Sequence, residues 1–170
     1  MDLASMIRDV PDFPKEGIIF KDITTLIKDA EAFRIAVDTL ADHYVGQEID
    51  VVVAVEARGY IFGAPVAYKL GAGFVPVRKV GKLPAETVRQ EYELEYGTDS
   101  VEMHKDGIAP GQKVLIVDDL IATGGSAAAT AELVERLGGE VVGIAFLIEL
   151  AFLGGVDKLR GYDVFTVLEY

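Results

Sequence analysis

Val114-Leu115-Ile116-Val117-Asp118-Asp119-Leu120-Ile121-Ala122-Thr123-Gly124-Gly125-Ser126 leads an apolar run into two adjacent acids, a loop of small residues and a helix start. Four aliphatic residues in a row read as a strand buried on both faces, as strands are in parallel sheets covered by helices. Val51-Val52-Val53-Ala54-Val55 reads the same way, as does the run from Val141 to Ile148, broken only by Gly143. Phe74-Val75-Pro76-Val77 and Val164-Phe165-Thr166-Val167 are shorter candidates. The first of these suits an edge, because proline has no N–H to give a central ladder.

Helical patterns separate the strands. Thr130, Leu133, Val134 and Leu137 fall at i, i+3, i+4 and i+7, with Glu132, Glu135 and Arg136 on the other side and Gly138 as a stop. A second helix is expected from Tyr60 to Leu70, ended by Gly71, and a third from Ala32 to about Tyr44. Strands alternating with helices of this length predict an α/β fold, an open and mostly parallel sheet flanked by helices. The 170 residues fit one domain with a sizeable core.

The rhythm breaks between Val80 and Asp106. Tyr92, Leu94 and Tyr96 alternate with Glu91, Glu93 and Glu95; Gly97-Thr98-Asp99 follows as a turn, and Val101 and Met103 resume the alternation. This is the pattern of a β-hairpin with one apolar and one acidic face. Because long excursions in compact domains are usually functional, residues 80–106 are read as a mobile flap standing off the main sheet.

Composition narrows the function. With a net charge of −12, the chain is a poor candidate for wrapping DNA or RNA and would be repelled by an anionic membrane. It has no cysteine, which excludes disulfides and thiolate chemistry. Its two histidines, His43 and His104, lie far apart among polar neighbours and read as solvated surface residues. The N-terminal residues lack the pattern of a signal peptide, and Val141 to Val156 is too short and too interrupted to span a bilayer. A cytoplasmic location is expected.

The chemistry concentrates at the opening stretch. In open α/β sheets ligands bind beyond the carboxyl ends of the strands, and a helix start offers unpaired N–H groups that suit a phosphate. Gly124 and Gly125 allow close backbone approach, Thr123 and Ser126 add hydroxyls, and Ala122 keeps the loop slim. Asp118 and Asp119 lie a ribose length upstream and can accept hydrogen bonds from vicinal hydroxyls. A bland alternative is a strand–turn–helix with Thr123 or Ser126 as cap and the acids solvated. A P-loop is excluded, since no lysine follows the glycines.

Val117 to Ser126 resembles the phosphoribosyl-pyrophosphate motif of the type I phosphoribosyltransferases. Pro11-Asp12-Phe13-Pro14 with Gly17 to Thr24, Glu56-Ala57-Arg58-Gly59-Tyr60-Ile61-Phe62-Gly63, Val77-Arg78-Lys79 with Gly81-Lys82-Leu83-Pro84, and Tyr92 to Gly97 resemble the branch of that family acting on adenine. The resemblance runs in order from about Ile7 to Tyr170. It implies a single domain over residues 1–170, with a small N-terminal hood at 1–30 and the flap at 80–106. It further implies purine salvage by transfer of the 5-phosphoribosyl group of phosphoribosyl pyrophosphate to adenine, releasing AMP and pyrophosphate. Residues 122–126 would take the 5′-phosphate and Asp118 and Asp119 the ribose. Glu56, Ala57 and Arg58, whose first peptide is expected to be strained or cis, would bind pyrophosphate with Arg78, Lys79 and Lys82. Ile19, Phe20, Lys21 and Leu150 would hold adenine, stacked against Phe20 and Leu150, and Glu95 would meet N7. Lys21 departs from the arginine often found there. Mg²⁺ is implied, carried by pyrophosphate and water rather than mainly by protein side chains, as is a homodimer in which Arg78 reaches the neighbouring site.

On pattern alone Glu95 is one of three acids on an exposed face, and Arg58 could be a plain loop arginine. Two other functions compete: the same transfer to another base such as xanthine or guanine, and a regulator that senses the phosphoribosyl ligand. The second would need a nucleic-acid-binding element, and this sequence offers no basic patch for one.

Overall fold

The computed structural model describes residues 1–94 and 96–170; Glu95 lies outside the described residues. The chain opens with β1 (Arg8–Pro11) and β2 (Ile19–Asp22), an antiparallel pair forming a two-stranded sheet of its own. Helices α1 (Thr24–Ile27) and α2 (Ala30–Asp42) follow. Then come β3 (Val51–Val55), α3 (Arg58–Leu70), β4 (Gly73–Lys79), β5 (Thr87–Glu93), β6 (Thr98–His104), β7 (Lys113–Ile121), α4 (Gly125–Arg136), β8 (Glu140–Glu149) and β9 (Val164–Glu169). The seven strands from β3 onward form one sheet in the order β5-β6-β4-β3-β7-β8-β9. Among the described residues, no helix is long and apolar enough to cross a membrane.

Alternating residues feed two cores. Val52, Leu115, Val117, Ala145 and Leu147 face α2 and α3, where Leu40, Phe62 and Val66 are buried, with Tyr44 just past the end of α2. Val53, Ile116, Ile144 and Phe146 point the other way, onto Ala127, Leu133 and Val134 of α4. Burial on both faces explains why these strands read as unbroken apolar runs. The pair β3–β7 is therefore a switch point: β3-α3-β4 winds outward over one face and β7-α4-β8 over the other. A crevice for ligands opens beyond such strand ends.

The hairpin differs from its sequence-based expectation. It does not stand off the sheet, because β6 pairs antiparallel with the end of β4 (Arg78↔Glu102, Lys79↔Val101). Val101 and Met103 are fully buried, and Val88 and Tyr92 pack into the α4 core. The open edge of β4 supplies unpaired backbone groups, and the hairpin's apolar face finds cover there. Phe74–Val77 itself keeps one side open, as expected from its proline, although β4 as a whole lies inside the sheet. The ladder to β6 starts at Arg78, beyond Pro76, so the proline is never asked to donate to it.

One strand is longer than expected. β7 continues through Asp118 and Asp119 to Ile121. Its pairing with β3 stops at Ala54↔Val117, whereas pairing with β8 runs on to Ile121↔Glu149. The two acids thus sit within a strand that outruns one neighbour, not in a turn after it.

Candidate active site

Where β7 outruns β3, a cavity of about 250 Å³ opens between Glu56, Arg58, Lys79, Tyr92, Asp119 and Ser126. Asp119 is buried, 4% exposed, and its Oδ2 accepts from Nε of Arg58 at 2.7 Å. Asp118 turns Oδ1 back to accept the amide of Asp119 at 2.8 Å. Burial, then the neighbouring Asp119 carboxylate, pushes the Asp118 carboxyl well above its ordinary range. Gly59 is required beside it, since a Cβ there would lie 2.8 Å from Asp118 Oδ1.

Glu56 gathers the cations. Its Oε1 accepts the Lys79 amide at 2.6 Å and its Oε2 the Lys82 ammonium at 2.9 Å, with Arg78 Nε 3.5 Å from Oε1. Burial opposes ionisation, but Lys82, the Lys79 amide and Arg78 outweigh it and hold the Glu56 carboxyl at about 2. The Glu56–Ala57 peptide is cis, as is Phe13–Pro14. Lys79 reaches across to the hairpin, donating to Tyr92 Oη at 2.8 Å and pairing with Asp99.

The loop after β7 is shaped by backbone. Gly124, at φ +85°, is the N-cap of α4, and no side chain caps that helix. The capping alternative for Thr123 or Ser126 therefore fails, and the first-turn N–H groups face the loop. A second cavity of about 220 Å³ lies over Ala122, Thr123, Gly124, Gly125 and Ser126, roofed by Tyr92. Tyr92 sits so close that a Cβ on Gly125 would meet its ring at 2.9 Å.

The residues expected around the base divide between two places. Ile19, Lys21 and Leu150 line a largely apolar cavity of about 530 Å³ together with Thr123, Phe152 and Tyr170. That volume is ordinary for a small-molecule site. Strand alternation turns Phe20 to the opposite face of β2. There it meets Phe13 edge-on at 5.2 Å and lies under the Arg58 guanidinium at 5.6 Å. A stack shared by Phe20 and Leu150 is thus not preformed. Among the described residues, no cluster of three His, Asp or Glu is placed to hold a metal. The expected contact of Glu95 falls outside the described residues.

Tyr92, Asp99 and Tyr170 are site residues that no sequence motif marks. The alternation at Tyr92 implies an inward ring without naming its partners, Asp99 reads as a turn residue although β6 begins at Thr98, and Tyr170 carries no local signal.

The phosphoribosyl transferase domain family matches residues 24–166. An adenine phosphoribosyltransferase of Alkaliphilus metalliredigens is 64% identical over 170 residues, covering 100% of both chains. The crystal structure of adenine phosphoribosyltransferase from Thermoanaerobacter pseudethanolicus superposes with a TM-score of 0.97 at 58% identity, over 99% of this chain and 98% of that one. The enzyme from Saccharomyces cerevisiae, complexed with D-2,5-dideoxy-2,5-imino-altritol 1,6-bisphosphate and adenine, gives a TM-score of 0.92 at 44% identity, over 98% and 96% of the two chains. Sequence, fold and crevice coincide along the whole length, and the chain belongs to the adenine phosphoribosyltransferase family of phosphoribosyl transferase domain proteins.

Proposed function

We propose that the chain transfers the 5-phosphoribosyl group of phosphoribosyl pyrophosphate to N9 of adenine, giving AMP and pyrophosphate in purine salvage. One observation carries this reading: paired acids, a cation cluster and an uncapped helix start surround the switch-point crevice, with a base-sized apolar cavity alongside. The first-turn N–H groups of α4 and the loop from Ala122 to Ser126 hold the 5′-phosphate. Asp118 and Asp119 accept the ribose hydroxyls, and Asp119 stands beside the positive charge that develops on the sugar. Arg58, Lys79 and Lys82, with the backbone at Glu56 and Ala57, stabilise charge on the departing pyrophosphate.

Adenine enters between the hood and Leu150. β2 is an edge of its small sheet, so alternate backbone groups near Ile19 and Lys21 face outward to read the exocyclic amine. Glu95 meets N7, and the hairpin covers the site and excludes water that would otherwise hydrolyse the activated ribose.

Mg²⁺, a hard cation that takes oxygen ligands and keeps several waters, would arrive with phosphoribosyl pyrophosphate. Asp118 Oδ1 is taken by the Asp119 amide and Asp119 Oδ2 by Arg58, so the ion would ride on the pyrophosphate and water, and it would neutralise the leaving group's charge. The active form is a homodimer in which Arg78 turns toward the neighbouring pyrophosphate site. Its side chain is 37% exposed and only loosely held by Glu56, which supports that reach. The net charge of −12 argues against nucleic-acid and membrane partners, and charged, phosphorylated substrates argue for the cytoplasm.

Phosphoribosyl pyrophosphate, Mg²⁺ and each purine base in turn, with nucleotide formation followed, test the reading. Adenine is expected to outrun hypoxanthine and guanine by several orders of magnitude, because a site that satisfies an amine penalises a carbonyl there. Comparable rates with hypoxanthine would reassign the base.

A further inference from the structure

Among the described residues, no ladder joins the hood's two strands to the seven-stranded sheet. Side chains on both faces of β2 tie it to the core instead, through two cation–π contacts of opposite sense. On one face the core's Arg58 lies over the hood's Phe20. On the other, the hood's Lys21 places its ammonium 4.0 Å from the ring centroid of the core's Tyr170.

The second contact is built more tightly. The Lys21 side chain is only 14% exposed, and its Nζ also donates to Asp9 Oδ1 at 2.7 Å, from the residue paired with it across the hood. An ammonium so covered needs compensation, which a carboxylate and an aromatic face provide. Tyr170 is fixed in turn. Its N–H donates to the Glu149 carbonyl at 2.9 Å, and its carbonyl accepts from the Ala151 amide at 2.9 Å. These bonds bracket Leu150, so the Tyr170 ring and Leu150 stand side by side in the 530 Å³ cavity that Lys21 also lines.

We propose that Tyr170 is a positioning residue for the base. By clamping Lys21 from a rigid mount beside Leu150, it sets the distance at which the edge of β2 meets the ring. The proposal rests on the adenine reading of that cavity. A plain packing role would affect both substrates alike, whereas a clamp on the hood acts on the base alone.

Initial rates against adenine and against phosphoribosyl pyrophosphate test this on purified Tyr170→Leu, Tyr170→Phe and Lys21→Met. Tyr170→Leu should raise the adenine KM by about five- to tenfold, the scale of one covered cation–π contact, and leave the other KM within about twofold. Tyr170→Phe keeps the ring and should keep the adenine KM. Lys21→Met should match Tyr170→Leu, and the double variant should be no worse than either single one. Equal shifts in both KM values, a Phe variant as poor as Leu, or additive effects would overturn the clamp. If the Leu variant does not fold, the Phe and Met variants still read the contact. A wild type making no AMP from adenine would sink the adenine reading alone. Amide exchange over residues 8–22 reads the clamp independently: faster in the Leu or Met variant, unchanged in Phe, with no acceleration counting against it.

Discussion

Arg58 Nε donates to Asp119 Oδ2 at 2.7 Å, tying the first residue of α3 to a buried position on β7. This bond spans the switch point and joins the two halves that wind away from it. Asp118, one residue earlier, has no such cation bonded to its carboxyl and points back to its own strand. Two neighbouring acids therefore stand in opposite electrostatic positions, and their substitution should have opposite effects on stability.

Asp118→Asn should stabilise the protein at neutral pH. Its folded carboxyl titrates well above the ordinary value of 3.8, so the ionised form costs stability that is progressively lost as pH rises from about 4. Thermal denaturation should show Asp118→Asn above wild type at pH 7 and level with it below about pH 4. Asp119→Asn should lower the melting temperature at pH 7, because it leaves Arg58 without its charge partner. The double variant should lose at least about a hundredfold in turnover, given about 1.5–3 kcal/mol per charged hydrogen bond to the sugar. Full activity in the double variant would remove the acids from the site.

Glu56→Gln tests the cation hub. The folded carboxyl titrates at about 2 against 4.5 unperturbed, so its contribution is complete above about pH 4.5 and fades as pH falls toward 2. The glutamine variant should lack that acid-sensitive component and melt lower at pH 7. Its KM for phosphoribosyl pyrophosphate should rise severalfold, as Arg78 and Lys82 lose their anchor. An unchanged KM would show that the cluster needs no organiser.

Glu95→Gln and Glu93→Gln form a matched pair with the same change in net charge. If Glu95 serves N7 of adenine, its variant should lose about a hundredfold or more in single-turnover rate, the usual worth of acid–base assistance. Glu93 is exposed and should change little. Equal behaviour would show that the hairpin acts only as a cover.

The sheet was legible because burial on both faces leaves unbroken apolar runs, as at Val51–Val55. The phosphate loop was legible because Asp118 to Ser126 compresses acids, glycines and a helix start into one segment. Pairing of β6 with β4 was not, since backbone groups at Arg78 and Lys79 leave no trace in side-chain pattern. Nor could the sequence show that Glu56 faces cations 22 to 26 positions on, or that Tyr170 meets Lys21. Such contacts are set by strand order and not by local composition.

Gly124 and Gly155 meet main chain to main chain: a Cβ on Gly124 would lie 2.4 Å from the Gly155 carbonyl oxygen, and one on Gly155 would lie 2.3 Å from that of Ala122. The phosphate loop is thus a mated joint whose second half is supplied some thirty positions downstream. Its shape rests on this backbone contact, which leaves the hydroxyls of Thr123 and Ser126 to serve the phosphate. It is intolerant of any side chain at either glycine. A saturation library selected for activity should therefore be empty at 124 and 155 alike, even though only one of the two belongs to the recognisable motif.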